Sequence, residues 1–357
     1  MGSWILSSST DPEQTAERSG SRKRAAFQRI LEIVISLGFL ALALRGINLA
    51  TLWEGIRSAN PWWLLASAAA TLALLFFKAW RWQLLFLPEY HLRYSSVFTA
   101  MSGGYLASNV LPARMGELVR LVLLVSDEPV SGARTLSTIV VERVLDILSL
   151  LAVMVVVLPF VELPPLMMRS LQALGVLALA AAGILVLISY WKERLMRWAH
   201  AILGKSKFLD RPAIYSAIEH LIDGFAALRG RLGLLQMVLS VVAWGGVIVM
   251  AWTAAKAVNL GAPLTAIIMA VVITTLGMLV PSSPGYIGVF EYLTTVALAP
   301  FGVPKEEALT FAIVWHGVNY LTLCLAGLIA LWVHGTSLGQ AVSRFRARGV
   351  EAGQATG

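Results

Sequence analysis

The stretch Pro281-Ser282-Ser283-Pro284-Gly285-Tyr286-Ile287-Gly288-Val289-Phe290-Glu291 sets two prolines, two glycines and a carboxylate in the middle of an apolar region. Such a run cannot lie in lipid as an uninterrupted helix. Each interior proline removes a backbone donor and clashes with the preceding turn, and irregular backbone at membrane depth persists only where protein or a water-filled cavity covers it. The stretch therefore predicts a break that lines a site. An echo stands earlier, at Pro112-Ala113-Arg114-Met115-Gly116-Glu117, with the same Pro-x-x-x-Gly spacing and again a glutamate downstream. Taken singly, either cluster also fits a polar loop between helices. One in each half points to a transporter with internal repeats.

The setting is a membrane chain. Hydrophobic residues make up 58% and charged residues 13% of its 357 positions, which excludes a soluble multidomain protein. The net charge of +8 does not indicate nucleic acid, because the basic residues fall in blocks beside apolar spans, where they orient the protein and meet anionic lipid headgroups. The single cysteine, Cys324, lies in an apolar run and offers neither a disulfide framework nor a thiolate zinc site. No cofactor is expected.

Residues 1–26 are polar and end in Arg22-Lys23-Arg24, the composition of a disordered cytosolic tail. Six apolar spans follow, at about 27–44, 62–87, 136–160, 171–190, 232–258 and 309–333. Between the second and third, residues 95–125 split around Pro112. The arm from Glu117 to Val125 would measure roughly 14 Å against a hydrocarbon core of about 30 Å, so it cannot cross. It reads as half of a re-entrant hairpin, and residues 264–299, split by the Pro281 stretch, read as a second. Residues 192–231 place apolar side chains at spacings of three and four, the pattern of interfacial helices lying along the membrane. The first repeat then spans 27–160, the second 161–335, and 336–357 form a cytosolic tail.

The distribution of basic residues tests this scheme. With the N-terminus cytosolic, 18 basic residues fall inside and five outside (Arg45, Arg57, Arg169, Lys256 and Lys305), and the bias holds only if both broken regions return to the side they entered. The expectation is an all-α polytopic protein of the inner (cytoplasmic) membrane. Its two inverted repeats each hold three spans and one hairpin, and both termini are cytosolic.

At each hairpin tip the second arm starts beside a glycine, Gly116 or Gly285, with helix N-terminal N–H groups that favour an anion. Arg114 and Arg120 add positive charge at the first tip, and the arginine fork suits phosphate; Arg120 paired with Glu117 one turn back is the purely structural alternative. Glu142, Arg143 and Asp146 stand at the cytosolic end of the third span, as an interfacial ion-pair cluster or part of a site. Glu291 is an intramembrane carboxylate, so it is expected to face a cavity and to pair or titrate. His316 and Asn319, at i and i+3 on the sixth span, can share that cavity. The substrate-binding candidates are thus Arg114, Glu117, Arg120, Glu142, Arg143, Asp146, Gly285, Glu291, His316 and Asn319. No nucleotide loop, zinc-protease helix or Ser/His/Asp spacing occurs, and an enzyme is not expected. An acyl or glycosyl transferase reading would rely on His316.

Three motifs carry a resemblance: Leu111-Pro112-Ala113-Arg114-Met115-Gly116-Glu117-Leu118-Val119-Arg120, then Glu142-Arg143-Val144-Leu145-Asp146, then Pro284-Gly285-Tyr286-Ile287-Gly288-Val289-Phe290-Glu291. Together they resemble the lysylphosphatidylglycerol synthase transmembrane region family, also called flippase-like, over about residues 27–335. The resemblance implies a flippase domain moving lipids such as aminoacylated phosphatidylglycerol between leaflets, with some relatives accompanying polyprenyl-linked glycan pathways. Tyr286 stands where the family often has a second glycine. The soluble aminoacyl transferase domain of the full-length synthases has no counterpart here, so the chain is not expected to make lysylphosphatidylglycerol by itself. The partners expected are a membrane lipid substrate and anionic lipid headgroups, with a lipid-modifying partner enzyme and self-association left open; nucleic acid is not among them.

Overall fold

The computed structural model describes residues 30, 33–87, 89–111, 115–160, 168–169, 172–173, 175–177, 180, 192–203, 215, 230–278, 283–337 and 339–340. The described secondary structure is helical. It comprises α1 (Ile33–Leu44), α2 (Leu49–Arg57), α3 (Pro61–Leu84), α4 (Tyr94–Val110), α5 (Gly116–Asp127), α6 (Gly132–Val157), α7 (Lys192–Leu203), α8 (Gly230–Ala257), α9 (Leu264–Gly277), α10 (Val289–Leu298) and α11 (Lys305–Val333). Arg114, Pro281, most of the expected fourth span, nearly all of the expected interfacial segment after residue 203, the N-terminal tail and most of the C-terminal tail lie outside the described residues.

Local chemistry sets the helix boundaries. Asn48 and Asn60 cap α2 and α3 by accepting backbone N–H groups of the first turn, and Pro61 occupies the first helical position of α3, where its missing N–H is harmless. Ser131 caps α6 through Arg134 N at 3.1 Å. Prolines 263 and 304 stand immediately before α9 and α11.

Among the described residues three helices, α3, α8 and α11, are long and apolar enough to cross a membrane, and α1 with α2 forms an apolar pair bent by 91°. The outer surface of α11 presents Leu321, Leu325, Leu328 and Trp332, all more than half exposed, as a helix bathed in lipid must. On α7, Trp198 and Ile202 are exposed at i and i+4, in keeping with an apolar stripe for the membrane surface.

Contacts at the two ends of the bundle fix the course of the chain. At one end the Lys305 ammonium, opening α11, donates to the carbonyls of Leu42 and Arg45 at 3.1 and 2.6 Å, capping α1. There too Asn60 N, at the start of α3, donates to Ala257 O at the end of α8 (2.7 Å). At the other end Arg93, just before α4, pairs with Asp127 and Glu128, which close α5. Asp127 also meets His334, which caps α11. The arms α4 and α5 therefore start and finish on the same side and pack on each other. The helices α9 and α10 also pack on each other.

Among the described residues two large buried apolar clusters lie along the bundle, and a small third joins Ala43, Leu52 and Leu309 at one end. One of the large clusters gathers the later part of α6 with α8, α9, α10 and the start of α11; the other gathers the later part of α3 with α4, α5, the earlier part of α6 and the end of α11. Between them sit the polar groups described next. The first arms pack at backbone distance: a Cβ on Gly116 would lie 2.3 Å from Gly104 O and 1.9 Å from the Ser108 hydroxyl, so only glycine fits.

Candidate functional site

Two groups of polar side chains are embedded in the bundle, one from each broken region. The first is built on α6. Glu142 lies ten residues into that helix, about 15 Å along its axis, and is 1% exposed. The helix begins four residues before the apolar run, so Glu142 stands well inside it. Glu142 is held from both sides: Arg81 Nη2 of α3 reaches Oε1 at 3.1 Å and Arg120 Nη2 of α5 reaches Oε2 at 2.5 Å. Arg81 also contacts Asp146 Oδ1 at 2.8 Å and donates to Ser240 Oγ of α8 at 2.5 Å. The Arg120 guanidinium stacks on Trp82, 3.5 Å from the ring centroid, and Trp82 donates its indole N–H to Thr138 of α6.

One edge of this network is open. Arg143 Nε reaches Glu117 Oε1 at 2.8 Å and Arg143 Nη1 lies 3.7 Å from Asp146 Oδ2; the side chains of Arg143 and Glu117 are 45% and 52% exposed. The pairing of Arg120 with Glu117 along α5 does not occur. Arg120 turns inward, where it is 3% exposed and requires a buried counter-charge, and Glu142 supplies it. Glu117, at the first turn of α5, stays at the edge and takes Arg143 instead. Met115, at the N-cap of α5, provides no side-chain acceptor, so the N–H groups of that turn stand beside the same edge.

The second group is built on the break. Glu291 Oε2 accepts the Gly288 N–H at 2.6 Å, the carboxylate half of a capping box that starts α10. Glu291 Oε1 lies 2.6 Å from His316 Nδ1 of α11. Phe290 stacks on the imidazole at 4.5 Å between ring centroids. Gly288 has φ +87°, and a Cβ there would lie 2.3 Å from Ser36 O of α1, so the turn demands glycine on two grounds. Ser36 Oγ in turn accepts Ser283 N at 2.8 Å. Tyr286, in place of a smaller residue, sits at φ +60° within the turn Pro284–Tyr286. Gly285 faces the Tyr320 ring, and the Tyr320 hydroxyl donates to Asn109 O near the end of α4.

The two groups thus meet on α4. Gly104 backs onto Arg120, and Asn109, about 7 Å further along the same helix, holds Tyr320. Of the residues singled out in the sequence, Glu117, Arg120, Glu142, Arg143 and Asp146 come together in the first group, and Gly285, Glu291 and His316 in the second. Asn319 is half-buried and enters no hydrogen bond among the described residues. Arg81, Trp82, Thr138, Gln236, Ser240 and Trp244 were missed. Gln236 and Trp244 pin the ends of the network by donating to Arg81 O and Asp146 O. An arginine inside the apolar run of α3 was the available signal, since an intramembrane charge requires a partner.

At the bundle's end, outside the spans, burial pushes the Asp127 carboxyl up. The hydrogen bond from His334 and the nearby Ser96 hydroxyl, with the charges of His334 and Arg93, outweigh it and hold the group below its ordinary value.

No curated protein matches the chain. The family model described as lysylphosphatidylglycerol synthase TM region matches residues 29–327, a range that includes every residue of both embedded groups. The chain belongs to the lysylphosphatidylglycerol synthase TM region family.

Proposed function

We propose that this membrane protein translocates a phosphate-bearing lipid headgroup between leaflets. The observation that carries the reading is the embedded network of three arginines and three carboxylates (Arg81, Arg120, Arg143; Glu117, Glu142, Asp146), closed on the side of α3 and α8 and open at Glu117 and Arg143. Such a network is balanced when empty. A phosphate arriving at the open edge takes over Arg143 from Glu117 by a bidentate fork, beside the N–H groups of the first turn of α5, so the anion replaces a carboxylate that swings toward water. Exchange of one partner for another keeps the arginines paired at each stage, which a polar headgroup needs in order to pass an apolar interior. The released carboxylate then suits a cationic part of the same headgroup, as in an aminoacylated lipid; a polyprenyl-linked phosphate is the other class the site accommodates.

In this account α4–α5 and α9–α10 are re-entrant arms of two inverted repeats, entering from opposite faces of the inner membrane with both termini cytosolic. The ion pair that joins the ends of α4 and α5, and Asn109 O of α4 lying beside Gly285 of the second break, support that arrangement. The chain acts as a transporter, not an enzyme. A membrane-embedded transferase, or an accessory subunit of one, is the second reading. The Glu291–His316 pair favours it, because a carboxylate that orients an imidazole is the usual setting of a general base.

Vesicles containing the protein and a headgroup-labelled phospholipid separate the two. Translocation brings inner-leaflet label within reach of an impermeant quencher while the lipid's mass stays unchanged. A lipid of altered mass, with the conversion lost in His316→Ala, would establish the transferase instead.

A further inference from the structure

The two embedded groups differ in what balances their carboxylates. Glu142 lies between Arg81 and Arg120, and a guanidinium does not give up its proton in a protein, so that charge pattern is permanent. Glu291 has no such partner. Among the described residues the ion pair it forms is with His316, and its remaining contact is the Gly288 N–H. Both side chains are about nine-tenths buried. Imidazole is the side chain whose ordinary pKa brings its charge change near neutrality. The pair can therefore take up one proton and lose its negative charge, while the guanidinium groups of the first network keep theirs.

Among the described residues no further charged group pairs with either side chain. Between their stated ends α1 and α9 contain no Asp, Glu, Lys, Arg or His, and of ionisable groups α4 offers only the phenols Tyr94 and Tyr105. Tyr320 stands edge-on to the imidazole, 6.2 Å between ring centroids, Cys324 lies one turn beyond it, and Tyr286 is in the break. Tyr292, on α10, packs on Phe39. Glu54 and Arg57 of α2 flank Gly55, which meets α11 at Thr310, and Lys305, Glu306 and Glu307 stand earlier still on α11, about three turns from His316. Lys78 of α3 lies over Trp244 and Lys256 of α8 over Trp252, while Arg81 and the charges of α6 belong to the first network or to the bundle's end.

The pair is also wired to the break. The ionised carboxylate holds the Gly288 N–H by a charge-assisted hydrogen bond, which fixes the left-handed turn that rests on the α1 backbone. Neutralising the carboxylate weakens that bond and loosens the joint between the Pro284–Gly288 turn and the first turn of α10.

We infer that Glu291 and His316 form a proton-binding site, and that its filling and emptying moves the Pro284–Gly288 break in step with lipid translocation, one proton per cycle. The coupling, though not the proton site, rests on the translocator reading above.

Two measurements on the full chain in vesicles test this. Infrared difference spectra taken from about pH 5 to about pH 8 follow carboxyl and imidazole protonation without any lipid probe. The other four histidines contribute to every spectrum, so the readout is wild type minus variant: one titration present in wild type and missing from both Glu291→Gln and His316→Gln is expected, and the glutamine at 291 keeps an acceptor for Gly288. A wild-type spectrum indistinguishable from that of Glu291→Gln over that window overturns the proton site. A fluorescent-headgroup phosphatidylglycerol, read with an impermeant quencher under a gradient of one pH unit, then reports coupling. One proton per lipid biases the steady-state leaflet distribution by up to about tenfold, and Glu291→Gln removes the bias. Translocation with an even distribution under the gradient overturns the coupling. A protein that titrates but moves no lipid overturns the translocator reading and the coupling with it, while the infrared result still establishes the proton site.

Discussion

Glu142 and Arg143 are neighbours in sequence with opposite duties. Glu142 is the acceptor shared by two buried guanidinium groups, and removing it strands Arg120 in the interior with only the face of Trp82 against it. Glu142→Ala is expected to cost roughly 3–5 kcal/mol, the range for breaking a buried pair, and to lower the thermal midpoint in detergent markedly. Arg143→Ala touches a pair that is half exposed, worth about 1 kcal/mol or less to stability, so that variant is expected to melt close to wild type. A stable Glu142→Ala protein would show that the network does not hold the bundle together. Arg81 belongs with Glu142: it is fully buried, and its partners come from α6 and α8.

Among the elements, the arms α4 and α5 depend on contact without side chains. Gly116→Ala places a methyl group against Gly104 O and Ser108, where the backbone has to move. The expected cost is about 1–3 kcal/mol, the usual range for overpacking, with loss of lipid movement because Arg120 and Glu117 ride on the displaced arm. Thermal unfolding and the vesicle assay read the two effects separately. The interruptions were legible beforehand because proline and glycine at fixed spacing act on the backbone directly, and α5 starts at Gly116 as that spacing put it; α10 starts three residues later than expected, after Gly288 and not Gly285, because Glu291 caps the Gly288 N–H. Pairing across elements was not legible. Arg120 could be matched to Glu117 by helical periodicity, but its actual partner comes from α6, and only packing decides that. Arg81 was passed over for the same reason: its partners lie 61 and 159 residues away in sequence. Glu291 with His316 was anticipated as a shared cavity, and the structure makes it a direct contact.

At the scale of the whole molecule, the ends of the bundle are tied by separate devices, and one of them is sensitive to acid. Asp127 joins the foot of the first hairpin to the end of α11, and its folded value is depressed below the ordinary one of about 3.9. A depressed carboxylate adds stability that is complete above the unfolded value and is lost as pH falls through the folded one. Wild type is thus expected to lose stability below about pH 4 more steeply than Asp127→Asn, as read by thermal midpoints in detergent. The two ends are also expected to lie on opposite faces of the membrane. On a Cys324→Ala background, a cysteine at Arg197 reacts with reagent from the cytosol and one at Lys305 from outside. Reaction of both from one side would remove the inverted-repeat arrangement. The claim on which the rest depends is that the open edge of the arginine network carries a lipid headgroup. The most direct measurement is the rate at which a headgroup-labelled phospholipid changes leaflets in vesicles holding wild type or Arg143→Ala, matched for thermal stability. A loss of tenfold or more in the variant, about 1.4 kcal/mol at the barrier, is the predicted result. An unchanged rate would contradict the account.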